Sequence, residues 1–359
     1  MDQQEELIEQ VDTNTYKCSE CGAPMRYNPE TGSLHCDYCQ RVINLSKDTS
    51  NDEVDFFSTE TDNLSWQKET QVVKCESCGS ENVISKKEMS TICPFCGSKQ
   101  VVSFDAIAGI KPNRVIPFKL SLEDAKNRYQ YIIKKKIFVP KKVKKAYLDL
   151  MVNGVYIPSW TYDSSTFSSY SGKLGKRYTV TVGTGNNKRT ETRIRWYYIR
   201  GTKVVDFDDI LVNSGKSLSQ DELNSIAPYE TNDSLEFTEG YLAGFKAEHY
   251  SKDVKTSFST AKSVMESRIR SAILRGYHYD VVGYLNVNTH YNKVTYKYVL
   301  LPVWFGLLNY HNKTYRFIVN GESGKIKAKY PKSALKILIF IFGILALVIL
   351  LMYLVSMYG

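Results

Sequence analysis

Eight cysteines, all before residue 100, fall into two sets with one spacing. Cys18-x-x-Cys21 is followed after fourteen residues by Cys36-x-x-Cys39, and Cys75-x-x-Cys78 after fourteen by Cys93-x-x-Cys96. Each C-x-x-C pair wraps two sulfurs around one face of a tetrahedral ion, and an intervening hairpin of this length returns the second pair to complete it. This predicts two zinc ribbons, over residues 16–42 and 72–102. Four thiolates leave no open coordination position, so two structural Zn2+ ions are expected that fold their modules and take no part in catalysis. Gly22, Gly79 and Gly97 directly follow a cysteine, where positive φ lets the knuckle turn; Gln40 stands in that place after Cys39, which predicts a less regular first site. His35 adjoins Cys36 and is expected to be a bystander. The competing uses are an iron–sulfur cluster, whose ferredoxin-like spacings differ, and a redox C-x-x-C, which ordinarily stands alone at a helix start.

Even cysteine numbers also suit disulfide frameworks, so the compartment matters. Residues 1–12, MDQQEELIEQVD, hold five acids, no base and no apolar run, so no secretory signal peptide is expected and the thiols should be reduced. Residues 337–355, ILIFIFGILALVILLMYLV, carry no charge and as a helix would measure about 28 Å, close to the ~30 Å of a bilayer's hydrocarbon core. Lys325, Lys327, Lys329, Lys332 and Lys336 precede this stretch. The positive-inside rule then places the large N-terminal part in the cytosol, a tail-anchored, single-pass arrangement in the cell membrane.

The net charge of +9 conceals a division of sign: residues 1–104 hold 9 Lys/Arg against 18 Asp/Glu, and residues 105–359 hold 38 against 20. Two tetrathiolate zinc sites would make the first part more acidic still, so its ribbons are expected to meet protein in preference to nucleic acid, which needs a basic face. Residues 43–71 read as a polar linker. Residues 105–330 read as a mixed α+β domain. Ser121-Leu-Glu-Asp124 and Ser219-Gln-Asp-Glu222 are capping boxes that start helices, the first interrupted by Pro140 before a second helical stretch toward Leu150. Apolar residues at three- and four-residue steps predict a longer helix from Asp253 to Arg275. Strands are expected from Val155 to about Val205, with a hairpin around GTGNNK, and from Val294 to Val319. Ile157-Pro-Ser-Trp160 and Leu301-Pro-Val-Trp304 echo one another, which suits either two related β units or two core tryptophans. The fold class is therefore α+β: two small zinc ribbons, a mixed central domain and one transmembrane helix.

Residues 126–145 contain nine Lys/Arg and no acid. Lys134, Lys135, Lys136, Lys141, Lys142, Lys144 and Lys145 are candidates for binding an anionic membrane surface or another anionic partner; a solvated helix face and a nucleic-acid site are the alternatives. Nucleotide motifs fail. Gly215-Lys216-Ser217 ends like a P-loop, but Ile210 stands where the first glycine must be, and Gly183-Thr-Gly185 lacks a third glycine. Glu248-His249 tempts as an acid/base couple, yet neighbours on a regular element point apart. No catalytic residues are assigned and no enzyme is expected.

Several segments together resemble a known family: Lys111-Pro112 with Arg114-Val-Ile-Pro-Phe118, Gly154-Val-Tyr-Ile-Pro-Ser-Trp160, Tyr241-Leu-Ala-Gly-Phe-Lys-Ala-Glu248, Leu301-Pro-Val-Trp304 and Asn320-Gly-Glu-Ser-Gly-Lys325. The chain resembles the membrane-anchored zinc-ribbon proteins of Gram-positive bacteria, the YdjG type, often labelled after the primosomal helicase protein N′. The helicase label is rejected, because the ATP-binding motifs are missing. The resemblance implies an envelope-stress platform in the membrane that works with a companion membrane subunit and recruits an SPFH-domain protein and phage-shock-protein-A-like effectors. The expected function is thus a non-catalytic scaffold docking protein partners, with membrane lipid as its other contact. The alternative is a membrane-tethered nucleic-acid-binding protein.

Overall fold

The computed structural model describes residues 16–45, 48–49, 53–58, 70–85, 90–101, 110–145, 150–311 and 313–358. Two long strands organise it. Met151–Val182 and Val281–Tyr310 run antiparallel, paired from Met151↔Leu307 to Gly175↔Val281, with irregularities at Asp163/Ser165 and Lys173/Leu174. The two echoing motifs lie directly opposite one another, around the pair Ile157↔Leu301. Two pairs of flanking strands repeat about that pair. Lys246–Glu248 joins the first strand in parallel at Val155 and Tyr156, as Arg114–Val115 joins the second at Val299 and Leu300. Asn213 pairs with Ser159, as Asn320 pairs with Val303. The helix N-caps Ser121 and Asp253 each stand six residues beyond the parallel partners Val115 and Ala247. These registers give the sheet a local two-fold relation about the echoing motifs.

Both faces are covered at the centre, so the strands there are apolar in continuous runs rather than alternating. On one face Tyr156, Trp160, Tyr298 and Trp304 pack with helix α1 (Leu122–Lys135) and helix α4 (Val254–Leu274). On the other, Val155, Ile157, Val299, Leu301 and Phe305 pack with the short helix α3 (Gln220–Ile226). Both predicted capping boxes form, and Asp253 caps α4 by accepting from the N–H of Thr256. After Pro140 only Lys141–Lys145 is helical (α2); residues 146–149 lie outside those described.

Beyond Asp163 the sheet narrows to three strands, with Arg189–Phe207 pairing the first long strand from Val182↔Arg189 to Ser164↔Phe207. The α4 helix covers one face of this arm, burying Phe258, Ala261, Met265, Ile269 and Ile273. The expected GTGNNK hairpin closes its tip with Gly183 and Gly185 at φ 106 and 61. Strands are longer than the sequence reading: the second begins at Val281 instead of Val294, because its polar outward residues mask the alternation of Leu285, Val287 and Tyr291.

Neither cysteine module stands apart. The first forms a four-stranded sheet (Tyr16–Lys17, Pro24–Asn28, Ser33–Cys36, Val42–Asn44) that meets the body through Tyr27, 5.5 Å from the Tyr241 ring and 6.3 Å from that of Phe245. The second adds its hairpin, Thr70–Lys74 and Glu81–Ser85, to the central sheet, pairing Asn82 and Val83 with Glu248 and Ala247. Its Phe95 packs edge-on against Phe305. The expected linker also departs from its prediction at residues 53–58. Val54–Asp55 pairs with Tyr296 and Thr295, and Phe56 packs 4.6 Å from the Phe258 ring, because an aromatic in that polar run finds an apolar seat on α4. Residues 46–47, 50–52 and 59–69 of the linker lie outside those described.

Finally, the most apolar window of helix α5 (Ala334–Tyr358) is not buried, and the 24-residue span Ala334–Met357, about 36 Å, is long and apolar enough to cross a membrane. Gly154 tests the central packing. A Cβ there would lie 2.4 Å from Cδ1 of Phe245, whose ring is stacked 4.2 Å from that of Phe118. Gly154→Ala should cost about 1–3 kcal/mol, read as a lower midpoint in denaturant unfolding of the detergent-solubilised protein.

Candidate metal centres

Each module ends its turns in the same knuckle. The N–H of the first cysteine donates to the carbonyl five residues on, Cys18 to Ala23, Cys36 to Arg41, Cys75 to Ser80 and Cys93 to Ser98. The residue after each pair donates back to the first cysteine's carbonyl and takes positive φ: Gly22 at 72, Gln40 at 62, Gly79 at 73 and Gly97 at 76. Gln40 therefore corrects the expectation of a less regular first site. It adopts the left-handed conformation as the glycines do, at a strain cost of about 1–2 kcal/mol that only its Cβ creates.

These knuckles gather the sulfurs. Cys18, Cys21, Cys36 and Cys39 form one cluster and Cys75, Cys78, Cys93 and Cys96 the other, each with all four sulfurs within 4.8 Å of one another and none in a disulfide. Closest approaches are 3.5 Å for Cys18–Cys39 and Cys21–Cys36, 3.6 Å for Cys75–Cys96 and 3.7 Å for Cys78–Cys93. A tetrahedral ion with ~2.3 Å bonds to sulfur needs sulfurs about 3.8 Å apart, so both clusters fit such an ion with little adjustment. His35 stands outside the cluster, its Nε2 between Thr31 and Ser33 hydroxyls at 2.9 and 3.1 Å.

The two clusters differ in what surrounds the sulfurs. In the second, the Ser80 hydroxyl lies 3.2 Å from Cys78 and 3.6 Å from Cys93, and the Ser98 hydroxyl 3.2 Å from Cys96 and 3.4 Å from Cys75. Each serine thus touches two sulfurs, and hydroxyl donation steadies thiolate charge in a buried site. Ala23 and Arg41 occupy the corresponding places in the first cluster and bring no hydroxyl. The repeated Cys-Gly-Ser at 78–80 and 96–98 was the available sequence signal, and it was missed.

One buried carboxyl adjoins the second module, and a separate charged network lies at the 53–58 segment. Gly215-Lys216-Ser217, the P-loop mimic, cradles an anion after all, but the anion is the protein's own: the N–H groups of Lys216 and Ser217 donate to Glu248 Oε1 at 2.7 and 2.8 Å, and the Ser217 hydroxyl donates to Oε2. Burial pushes the Glu248 carboxyl up to about 7, against the pull of those donors. His249 lies buried against Tyr250 with its basicity lowered by burial. Across the sheet, Glu53, Asp163 and Asp208 bring carboxylate oxygens within 4.8 Å of one another. The fully buried Lys297 pairs with Asp209 at 2.7 Å and Glu53 at 3.8 Å. Burial and the neighbouring Glu53 raise Asp163 to about 8. This network fastens the 53–58 segment to the sheet.

The predicted basic residues assemble beside the start of α5. Lys134 and Lys135 end α1, Lys136 caps it, and Lys141, Lys142, Lys144 and Lys145 lie on α2. Between them, the carbonyls of Ile137 and Val139 accept from Lys336 Nζ at 3.2 and 2.7 Å, and Phe138 accepts from the N–H of Ser333 at 2.8 Å. Phe138 also meets the Phe340 ring at 5.4 Å, while Ile137 is 70% exposed.

The chain is similar over 338 residues to the uncharacterized protein YdjG of Bacillus subtilis (strain 168), at 28% identity, covering 92% of this chain and 94% of that protein. The chain is a homologue of that protein. No family model matches, and no solved structure matches.

Removing both hydroxyls with Ser80→Ala/Ser98→Ala should weaken metal retention by the second cluster about 10- to 100-fold and leave the first unchanged, measured by chelator competition on the purified protein. A second test uses pH. The Glu248 proton is held more tightly folded, near pH 7, than in the unfolded chain, near pH ~4.3, so its contribution to stability is largest below ~4.3 and is lost as pH rises toward 7. Glu248→Gln should flatten that decline in denaturant midpoints between pH 4.5 and 7, leaving the residual slope of Asp163, which runs in the same direction up to about 8.

Proposed function

We propose that this protein is a non-catalytic scaffold, anchored in the membrane by α5, whose two zinc ribbons and β body dock protein partners at the cytosolic face. The observation that carries the reading is the joining of three features in one body: two closed four-sulfur sites packed onto a sheet, an unburied apolar helix, and lysines gathered at that helix's start. Zinc is the metal that suits four thiolates in tetrahedral array with no open position and no redox demand. It holds the ribbons in shape and supplies no reacting centre. The lysines near the start of α5 suit anionic headgroups, each basic residue near such a surface contributing about 1 kcal/mol, and the exposed Ile137 suits entry into a headgroup layer. Lys325, Lys327, Lys329, Lys332 and Lys336, which precede the apolar stretch, support the cytosolic orientation. The partners we propose are a companion membrane subunit, an SPFH-domain protein and a phage-shock-protein-A-like effector, in envelope stress.

In-cell crosslinking followed by detergent solubilisation and purification tests this, comparing the wild type with Cys75→Ser/Cys78→Ser and nuclease-treated with untreated samples. Two zinc ions per chain and membrane-associated partners that resist nuclease and weaken in the variant are expected. Partners that vanish on nuclease treatment, with DNA or RNA copurifying, would replace the scaffold with a tethered nucleic-acid-binding protein.

A further inference from the structure

The three-stranded arm has a second face, which α4 does not cover. Register places Phe167 beside Val204, Ser171 beside Arg200, Lys173 beside Tyr198, Gly175 beside Trp196, and Arg177 beside Ile194. Side chains directly opposite in an antiparallel pair share a face, so these form one continuous surface along the arm. The glycines confirm which way it looks: a Cβ on Gly175 would meet Ile194 and Trp196, whereas one on Gly172 would meet Leu285 and Ile199, on the α4 side. On the third strand Tyr284 lies across from Lys173, completing a row Tyr198–Lys173–Tyr284.

This surface combines two properties that ordinary solvated sheet faces keep apart. It exposes large aromatic area, with Tyr198 73% and Trp196 40% accessible, and it carries net positive charge. Of the nine Lys/Arg in residues 165–207, register puts Lys173, Arg177 and Arg200 on this face, against one acid, Asp206. Trp, Tyr and Arg are the residue types that dominate binding energy at protein interfaces.

We propose that this face of the arm docks an acidic segment of a partner protein, carboxylates meeting Lys173, Arg177 and Arg200 and apolar side chains covering Phe167, Trp196 and Tyr198. The proposal rests on the scaffold reading above and assigns its contact surface. Charge complementarity selects an anionic occupant, and the aromatic geometry selects among anions. Lys173 Nζ lies 5.2 Å from the Trp196 ring centre and 5.6 Å from that of Tyr198, so an ammonium already occupies the rings' neighbourhood. A stacked nucleobase would have to displace it, whereas a carboxylate pairs with it while an adjacent apolar side chain rests on the ring. The arm's long outer strand carries Arg193, Arg195, Arg200 and Lys203, and charges of this kind guard a strand edge against pairing, which leaves the face as the docking surface.

The experiment uses the full chain in phosphatidylcholine nanodiscs, which present no anionic lipid, and reads fluorescence anisotropy. The probes are a labelled sixteen-residue peptide of alternating glutamate and leucine, a polyglutamate peptide of the same charge, and a thymidine oligonucleotide of the same charge. Tighter binding of the glutamate/leucine peptide than of either other probe is expected, with a loss of about tenfold or more in Arg177→Glu/Arg200→Glu and in Trp196→Ala. The control Lys255→Glu/Arg268→Glu, an equal charge change on the exposed side of α4, should bind within about threefold of wild type. Equal losses in both charge-reversal variants, tighter oligonucleotide binding, or no peptide binding would each overturn the proposal. Partners that survive the crosslinking experiment in the arm variants would remove the arm proposal alone, whereas their loss to nuclease would remove the scaffold reading.

Discussion

The antiparallel pairing of two strands about Ile157 and Leu301 is the constraint on which the remaining structure depends. It fixes the register of both parallel strands, both asparagine-bearing return strands and both long helices. A slip of one residue would turn every side chain to the opposite face, exchanging the aromatic set around Trp160 for the aliphatic set around Val303. The two sets are not interchangeable. The aromatic side receives α1, α4 and the first cysteine module, whereas the aliphatic side receives α3 and the knuckle of the second. Burial on both faces is therefore what makes the register unique, and prolines at 158 and 302 are tolerated because each sits where only part of the ladder demands a donor.

The same two strands change character along their length. Around residues 155–162 they are buried on both faces; past Asp163 one face turns to solvent and polar residues alternate with apolar ones. The irregularity at Asp163 coincides with this change, and there the buried Lys297 network fastens the 53–58 segment. One pair of strands thereby provides a core at one end and an exposed platform at the other.

Features written in short stretches of chain were legible in the sequence. The cysteine knuckles, both capping boxes, the Asp253 cap, the tight turn at 183–187 and the apolar stretch of α5 each depend on neighbours a few residues apart. Features that depend on distant contacts were not. Nothing near Tyr27, Phe56 or Phe95 in the chain announces that these rings seat their segments on the body, since each looks like an isolated aromatic in a polar run. The basic stretch showed its composition but not its address beside α5, which required Lys336 and the carbonyls of Ile137 and Val139 to be brought together across about two hundred residues. The Pro-x-Trp echo lay between these cases: its repetition was visible, but its meaning was in the pairing.

Docking of the modules also changes what a metal at each site can do. The first module meets the body mainly through Tyr27 and the 239–245 segment, a surface contact beside the central sheet. The second is continuous with it, because Cys75, Cys93 and Phe95 belong to the apolar cluster beneath Phe305, and Asn82 and Val83 extend the sheet next to Glu248. Four thiolates without an ion repel one another, and the knuckles that hold them would open. Opening the first would free a sheet that keeps most of its own hydrogen bonds. Opening the second would withdraw the cover from one face of the central strands and the partner strand from Lys246–Glu248, exposing the carboxylate that Lys216 and Ser217 enclose. The serines beside Cys75, Cys78, Cys93 and Cys96 stand at the site where loss of metal reaches furthest into the fold, which gives a physical reason for their presence in that module and not in the other.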